Sequence, residues 1–418
     1  MKHTTHLYCL SNGIPVVVSN TFFQTCKILI SLDFGASDET QGEYGITHFI
    51  EHLLGQSVSG ETSFGNLQKK IERLGGNIGL YTSYTKIGCW VNVIPENLVD
   101  AVKIIAPQIM TPLFDEQKIK QEKNIILDEY NRVTDKKSWA LFKYKHLFKG
   151  TGFGHNILGT PENIQSFSKE VVSNYYFSHL SSDKCNIVIV GCVQNIQNLL
   201  LELEKAFSNM PSVAYEHKNN LVQQTFVHET KNDAKNVKLV LAFCAKIADN
   251  REEQIAVNIF RIILQKRLID VLRYKKGLVY TIICQTIGGV NTKLYTIETE
   301  NSAQHVECIV KDIAVVCKNI LNAEPITKEE LQTAKNIVKY SLLREMDSID
   351  VCCDIYSKYL AYYKKLYSLD TEKQMIDSLD VADVSRIGRL VFYAPLSVVS
   401  QGPEYNCSII DVWNKIFN

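Results

Sequence analysis

Two histidines and one glutamate stand close together in the first part of the chain, in the order His48-Phe49-Ile50-Glu51-His52. Histidines four residues apart project from the same face of a helix, so both imidazoles can bind one metal ion. Zinc suits imidazole and carboxylate ligands, and as a Lewis acid it activates a water molecule. Glu51 lies close enough to such a water to accept its proton. The pattern therefore predicts a metal centre with a general base beside it.

A third protein ligand is needed, because this five-residue pattern arises by chance in about one chain per hundred of this length. Residues 116–134 are predicted to form a helix that carries Glu122 and Glu129, seven residues apart and hence on one face. These two carboxylates are the candidates for completing a set of two histidines and one carboxylate. The order H-x-x-E-H is that of the inverted-motif zinc peptidases.

The segment Glu122-Lys-Asn-Ile-Ile-Leu-Asp-Glu129 ends 77 residues after His52 and resembles the same part of the pitrilysin (M16) family of zinc metallopeptidases. This family includes insulin-degrading enzyme and the mitochondrial processing peptidases, whose two-domain subunits the chain resembles over most of its length. The resemblance implies that His48, His52 and Glu129 bind one Zn²⁺ per chain and that Glu122 supports the site without binding the metal. Other matching segments are Gly35-Ala-Ser-Asp-Glu39, Ile71-Glu-Arg-Leu-Gly-Gly76 and Ile157-Leu-Gly-Thr-Pro-Glu-Asn-Ile164.

The second half of the chain carries Arg273 and Tyr280, seven residues apart, in a segment that looks like the arginine and tyrosine segment of the same family. The resemblance implies that Arg273 holds a substrate carbonyl and that Tyr280 donates a hydrogen bond to the developing oxyanion. One-piece family members enclose a chamber with four domains, whereas a two-domain chain supplies half of it. We therefore expect a homodimer in which each chain gives these two residues to the zinc site of the other.

Two segments depart from the family pattern. Gly79 and Leu80 stand where family members usually carry an Asn-Ala pair on the strand that binds substrate, so contact with an extended peptide is expected through the strand backbone. The segment Ile262-Ile-Leu-Gln-Lys266 stands where many two-domain relatives have a glycine-rich loop. These departures bear on the choice of substrate rather than on hydrolysis.

Regular elements must position these residues. Apolar residues recur at helical spacing over 46–54, which predicts the helix that carries the zinc motif. Strands are predicted before it, at 14–18 and 28–34, and after it, at 87–94. A similar order of strands and helices begins again after about 210 residues, which indicates two weakly similar halves.

The length of 418 residues is enough for two hydrophobic cores. A polar stretch with one proline and two adjacent asparagines predicts a linker at 211–224. We therefore predict a zinc-binding catalytic domain at 1–210 and a similar second domain at 225–418. Each is expected to be an α+β domain, a mainly antiparallel sheet packed with helices.

Composition narrows the class of protein. The 45 basic and 45 acidic residues give a net charge of zero, which predicts binding neither to nucleic acid nor to a membrane. The 12 cysteines are scattered, which is typical of reduced, buried thiols. Because the sequence has no apolar signal core and no stretch of about 18 apolar residues, we expect a soluble cytoplasmic protein.

The function predicted from these features is that of a zinc metalloendopeptidase that hydrolyses short or unfolded peptides inside an enclosed chamber. His155 is expected to be a loop residue and not a fourth ligand, because a catalytic zinc keeps that position for water. Two alternatives remain open. One is a non-catalytic structural or assembly subunit of the same fold, and the other is a presequence-processing peptidase that works with a partner subunit.

Overall fold

The computed structural model describes residues 4–55, 64–134, 139–213, 222–289 and 293–417. Strands are numbered in chain order as β1 (Thr4–Cys9), β2 (Pro15–Asn20), β3 (Cys26–Leu32), β4 (Asn77–Thr82), β5 (Ile87–Val93), β6 (Cys185–Gly191), β7 (Phe226–Thr230), β8 (Val237–Phe243), β9 (Ile282–Ile287), β10 (Leu294–Asn301) and β11 (Leu396–Gly402).

The helices are α1 (Ile46–Leu53), α2 (Phe64–Arg73), α3 (Leu98–Met110), α4 (Glu116–Thr134), α5 (Trp139–Leu147), α6 (Pro161–Ser166), α7 (Lys169–His179), α8 (Ile196–Phe207), α9 (Arg251–Leu268), α10 (Val306–Leu321), α11 (Lys328–Glu345), α12 (Ile349–Tyr363), α13 (Leu369–Ser378), α14 (Val381–Phe392) and α15 (Ile409–Phe417). A π-helix continues α9 over Ile269–Lys275. No helix of the described residues is long and apolar enough to cross a membrane.

The chain folds into two compact units. The first unit consists of Met1–Lys136, His155–Lys218 and Arg344–Tyr367, and the second consists of Lys137–Gly154, Asn219–Leu343 and Ser368–Asn418. Each half of the chain thus gives one helical segment to the other unit, which a division in chain order at 211–224 does not anticipate. Most of that predicted linker, residues 214–221, lies outside the described residues.

The first unit is built on a six-stranded sheet with the strand order β1-β2-β6-β3-β5-β4. The strands β2 and β6 are parallel, and every other neighbouring pair is antiparallel. Along β3 every residue is buried, as its short, continuous apolar run predicts. One face of the sheet packs on the apolar core beneath α1 and α3, and α12 lies against β3 and β6 on the other. Among the described strands, β4 lies at the edge of this sheet.

The second unit repeats this plan with a five-stranded sheet in the order β7-β11-β8-β10-β9. Its β7 and β11 are parallel, and the other neighbouring pairs are antiparallel. Helices α9, α10 and α14 contribute to the apolar core on one face, while Leu147 and Phe148 at the end of α5 pack on the other face. The prediction of two similar α+β domains is therefore confirmed.

Candidate metal centre

The helix α1 carries the zinc motif and is fixed in the core by an apolar stripe. Ile46, Phe49 and Ile50 are fully buried in the core of the first unit. The preceding Gly45 has φ +94°, and a Cβ there would lie 2.6 Å from the carbonyl oxygen of Leu158. A larger residue at this position would therefore force the helix away from its place.

The N-terminus of α1 is held by a buried carboxylate, that of Glu39. Its oxygens accept hydrogen bonds from the backbone N–H groups of Gly45 (2.7 Å) and Thr47 (2.9 Å). The imidazole of His155 lies 3.0 Å from the same carboxylate through Nε2, and its ring stacks on Tyr44 at 4.0 Å. Burial raises the pKa of Glu39, which the hydrogen bond with His155 partly offsets. These contacts orient the helix on which the candidate ligands stand.

The helix α4 brings a carboxylate to α1. Its Ile119 and Ile126 are buried in the core, and Glu122 and Glu129 each follow one of them by three residues. Residues three and seven apart share a helix face, so the apolar contacts turn both carboxylates toward α1. The rotation of α4 about its axis, fixed by its buried isoleucines, thus places both acidic residues toward α1.

Three possible ligands converge between these helices. The Nε2 atoms of His48 and His52 lie 3.8 Å and 3.7 Å from one carboxylate oxygen of Glu129. Their ligand atoms all lie within 4.8 Å of one another, and no other such group of His, Cys, Asp or Glu occurs among the residues that the structure describes. Ligands of a tetrahedral zinc stand roughly 3.4 Å apart, given bonds of about 2.1 Å. The site therefore fits a zinc ion with little movement.

The protonation state of His48 also fits a metal ligand. Burial and the neighbouring His52 lower the pKa of His48 to about 3. The imidazole is therefore neutral near pH 7, with Nε2 facing Glu129. Its Nδ1 is buried and has no hydrogen-bond partner within the described residues. A neutral imidazole is the form that binds zinc.

The second histidine is oriented by Glu122, which is only 7% exposed. The Nδ1 atom of His52 lies 2.9 Å from the carboxylate of Glu122, so Nδ1–H donates and Nε2 points toward Glu129. Burial lowers the pKa of His52, but the contact with Glu122 and the other nearby carboxylates outweigh it and raise the pKa above its usual value of 6.5. Glu122 thus lies beside the candidate ligand His52.

We expect Glu122→Gln to weaken zinc binding about tenfold to 100-fold, because the amide keeps a hydrogen bond to His52 but removes the negative charge behind it. Zinc affinity measured by competition with a chromophoric chelator checks this. Glu116→Gln, an exposed change at the start of the same helix, should leave the affinity unchanged. Equal affinities for wild type and Glu122→Gln would contradict the role of Glu122.

Zinc affinity should also fall as the pH is lowered, because one proton, that on His52, competes with the metal. Protonated His52 cannot bind the metal, and its pKa is raised. His48, whose pKa is about 3, stays neutral over the same range. Below the pKa of His52 the affinity is therefore expected to fall about tenfold per pH unit. Chelator competition between about pH 5.5 and about pH 8 measures this slope, and a hundredfold fall per unit would contradict it.

Glu51 lies beside the three possible ligands and is not one of the group. Burial raises the pKa of its carboxyl, while adjacent groups of Thr82 and the imidazole of His52 partly offset the shift. A raised pKa brings a carboxylate closer to the range in which a general base works best. Thr82 is the last residue of the edge strand β4, so Glu51 also faces the end of that strand.

The candidate substrate-binding residues lie in two places. Gly79 and Leu80 are in β4, with Leu80 packed against the core of the first unit. Arg273 and Tyr280 belong to the second unit, where Tyr280 is 82% exposed. The guanidinium of Arg273 lies 5.1 Å from the centre of the Tyr280 ring. These two side chains are grouped on a surface of their own unit.

Sequence patterns missed the residues that anchor α1. Glu39 appeared only as the last residue of a matching segment, and His155 was predicted to be a loop residue. They meet across 116 positions of the chain, a contact that spacing within one element cannot reveal. His155 contacts Glu39 and lies outside the group of three possible ligands.

Comparisons with known proteins agree with this architecture. Residues 15–160 match the family described as Insulinase (Peptidase family M16), and residues 166–338 match the Peptidase M16 inactive domain. The chain is 23% identical over 414 residues to an uncharacterized zinc protease of Rickettsia bellii, covering 97% of this chain and 99% of the relative. It is 23% identical over 436 residues to the mitochondrial-processing peptidase subunit beta of Mus musculus, covering 96% and 86%.

Among solved structures, a peptidase M16 inactive domain from Pseudomonas fluorescens superposes with a TM-score of 0.83. The identity is 18%, and the match covers 97% of this chain and 100% of the other. At this identity the likeness shows the shared fold alone.

Proposed function

Because the chain belongs to peptidase family M16, we propose that it is a zinc-dependent endopeptidase that cleaves short or unfolded peptides. The observation that carries the proposal is the convergence of His48, His52 and Glu129 with Glu51 beside them. A structural subunit without catalysis has no need of this set, in which the buried imidazole of His48 and the partly buried His52 and Glu129 converge without an ion pair of ordinary length. The complete set therefore favours the enzyme over the non-catalytic alternative.

The residues of the site divide the work of hydrolysis. His48, His52 and Glu129 would hold zinc, which when bound supplies Lewis-acid activation of water and of the peptide carbonyl. The Glu51 carboxylate accepts a proton from the attacking water as the water oxygen bonds to the carbonyl carbon. Glu51 then gives this proton to the amide nitrogen as the C–N bond breaks. Glu122 keeps the imidazole of His52 in the required tautomer throughout.

The edge strand β4 is the proposed binding surface for the peptide. Among the strands that the structure describes, it pairs with β5 alone, so its outer N–H and C=O groups are available to an added strand. Since Thr82 at its end lies beside Glu51, a peptide that extends β4 passes the candidate general base. Pairing of this kind requires an extended backbone, which a folded substrate does not offer.

We also propose that the active unit is a homodimer. Tyr280 is 82% exposed and Tyr274 is 71% exposed, and Arg273 lies against both rings. So much exposed aromatic surface beside a guanidinium supports a role in contact with another molecule, here a substrate bound at the partner chain. In this arrangement each chain supplies Arg273 and Tyr280 to the zinc site of the other, and an enclosed chamber forms between the two.

Removal of zinc tests the proposed function. Treatment with 1,10-phenanthroline should abolish cleavage of a quenched fluorescent peptide, and about one equivalent of Zn²⁺ per chain should restore it. The isomer 1,7-phenanthroline, which does not chelate, is the matched control and should have no effect. Cleavage that survives complete removal of the metal would overturn the proposal.

A second candidate is presequence processing together with a partner subunit, which is favoured by the similarity to a mitochondrial-processing peptidase subunit. Such presequences are Arg-rich amphipathic segments. Cleavage of a model presequence only after a second protein is added would support this candidate, whereas cleavage of neutral peptides by the chain alone supports the endopeptidase proposed above.

A further inference from the structure

The indole of Trp90 lies across the edge strand at Gly79. The two residues are paired partners on β5 and β4. A Cβ placed on Gly79 would lie only 2.4 Å from Cζ2 of the ring and 2.7 Å from its Nε1. The ring therefore fills the space that any other side chain at position 79 would occupy, and the glycine is required for this approach.

This indole is placed on the face of β4 that points away from the core. Ile78 and Leu80 contact the core of the first unit, so Gly79 and Tyr81 face the opposite side, since side chains alternate along a strand. Trp90 itself is only partly buried. Within the part of the chain that the structure describes, no acceptor is paired with its Nε1–H. The ring thus offers accessible apolar surface and a free donor at the outer edge of the sheet.

The position of Lys27 determines which side chains this surface favours. The ammonium group of Lys27 lies 4.7 Å from the centre of the Trp90 ring, and it forms an ion pair with Asp350. A cation already interacts with the π-system, so an arginine or lysine of a substrate would gain little from the ring. An aromatic or large aliphatic side chain would instead bury apolar area against the ring.

The distance to the metal site follows from strand geometry. Gly79 precedes Thr82, which lies beside Glu51, by three residues. At about 3.3 Å per residue this is roughly 10 Å along the strand. A residue directly opposite on an added strand would have its Cβ about 5 Å from the point that a Cβ at position 79 would occupy. The ring is therefore within reach of a substrate side chain about three residues from the bond that is cleaved.

We propose that Trp90, lying over Gly79, is a specificity-determining residue that selects substrates with an aromatic or large aliphatic side chain at this position and disfavours arginine and lysine. The proposal rests on the proposed function, because it assumes that a peptide extends β4. A purely structural alternative exists, since an aromatic ring that covers a glycine also stabilises an edge strand. The test must separate selectivity from stability.

Peptide binding to the zinc-loaded Glu51→Gln protein provides this test without requiring cleavage. Fluorescein-labelled peptides that carry Phe, Leu, Ala or Arg at one scanned position are titrated and followed by fluorescence anisotropy. At one scanned position we expect the peptide with Phe to bind about fivefold to tenfold more tightly than the peptide with Ala. The peptide with Arg should bind no more tightly than the peptide with Ala. Trp90→Ala should reduce the Phe preference to less than about twofold, and Trp90→Phe should keep part of it.

Two further variants complete the design. Gly79→Ala should lose the preference like Trp90→Ala, because its Cβ would displace the ring. Phe22→Ala removes an aromatic side chain that is 65% exposed elsewhere in the first unit, and it should leave the preference unchanged. Thermal unfolding of each variant reports its stability separately.

Unchanged selectivity in Trp90→Ala, with or without a lower unfolding midpoint, would overturn the proposal, as would equal binding of all peptides by the protein with Trp90 intact. A Phe preference that depends on Trp90 supports it even if the wild type cleaves no peptide, in which case the proposed function fails and the subsite stands. If the wild type cleaves peptides without any such preference, the proposed function stands and the subsite fails.

Discussion

Glu51→Gln is expected to keep its zinc and to lose peptide cleavage by about 10²-fold to 10⁴-fold in kcat. The three possible ligands His48, His52 and Glu129 form a group without Glu51, so the metal should stay bound. Glutamine has nearly the same shape but cannot accept the proton of the attacking water. Zinc content by mass spectrometry and kcat with a quenched peptide measure the two effects on the same sample.

A matched variant on the other helix separates binding from proton transfer. Glu129→Gln should lose both zinc and cleavage, because it removes an anionic ligand. Glu116→Gln, on the same helix and exposed to solvent, should lose neither. If Glu51→Gln loses its zinc, Glu51 is a ligand, and if it cleaves as fast as the wild type, another group is the general base. Either result would contradict the proposed mechanism.

The second large effect is complementation between two inactive variants. Tyr280→Phe alone should lose about 10²-fold to 10³-fold in kcat, because it removes a donor to the oxyanion. When it is mixed with Glu51→Gln under conditions of subunit exchange, activity should return to about one quarter of the wild-type level. Random pairing makes half of the dimers mixed, and each mixed dimer has one of its two sites intact if Tyr280 acts on the partner chain.

Refolding the two variants together and separately provides the comparison. Each variant refolded alone should stay inactive, and the mixture should gain activity with the time course of subunit exchange. An affinity tag on one of the two variants, followed by mass spectrometry of the intact dimers, shows whether the exchange itself is complete. No recovery in a fully exchanged mixture would show that both residues act within one chain, which rules out the shared sites.

Sequence patterns predicted the elements that carry the site because their signals are local. The predicted helix at 116–134 coincides with α4 (Glu116–Thr134), and the motif helix predicted over 46–54 is α1 (Ile46–Leu53). In both, buried isoleucines at helical spacing orient the polar residues. Periodicity reports such faces directly. The candidate ligands stand on only these two helices. Helical spacing and the family resemblance were therefore enough to predict them from the sequence.

Features that depend on contacts between distant segments were not predictable in the same way. The exchange of α5 and α12 between the two units leaves no local mark, because each helix only has to be apolar on the side that covers a sheet. The contact between Glu39 and His155 also joins segments far apart in the chain. Gly79 was recognised as a departure from the family pattern, but only the strand register shows that Trp90 fills its place.

The most direct test of the proposed zinc site is an anomalous difference map from crystals of the protein, with data collected on both sides of the zinc absorption edge. We expect a single strong peak per chain, present only above the edge, between the Nε2 atoms of His48 and His52 and the carboxylate of Glu129. A zinc-supplemented crystal with no such peak, or with its peak away from these three residues, would contradict the proposed zinc site.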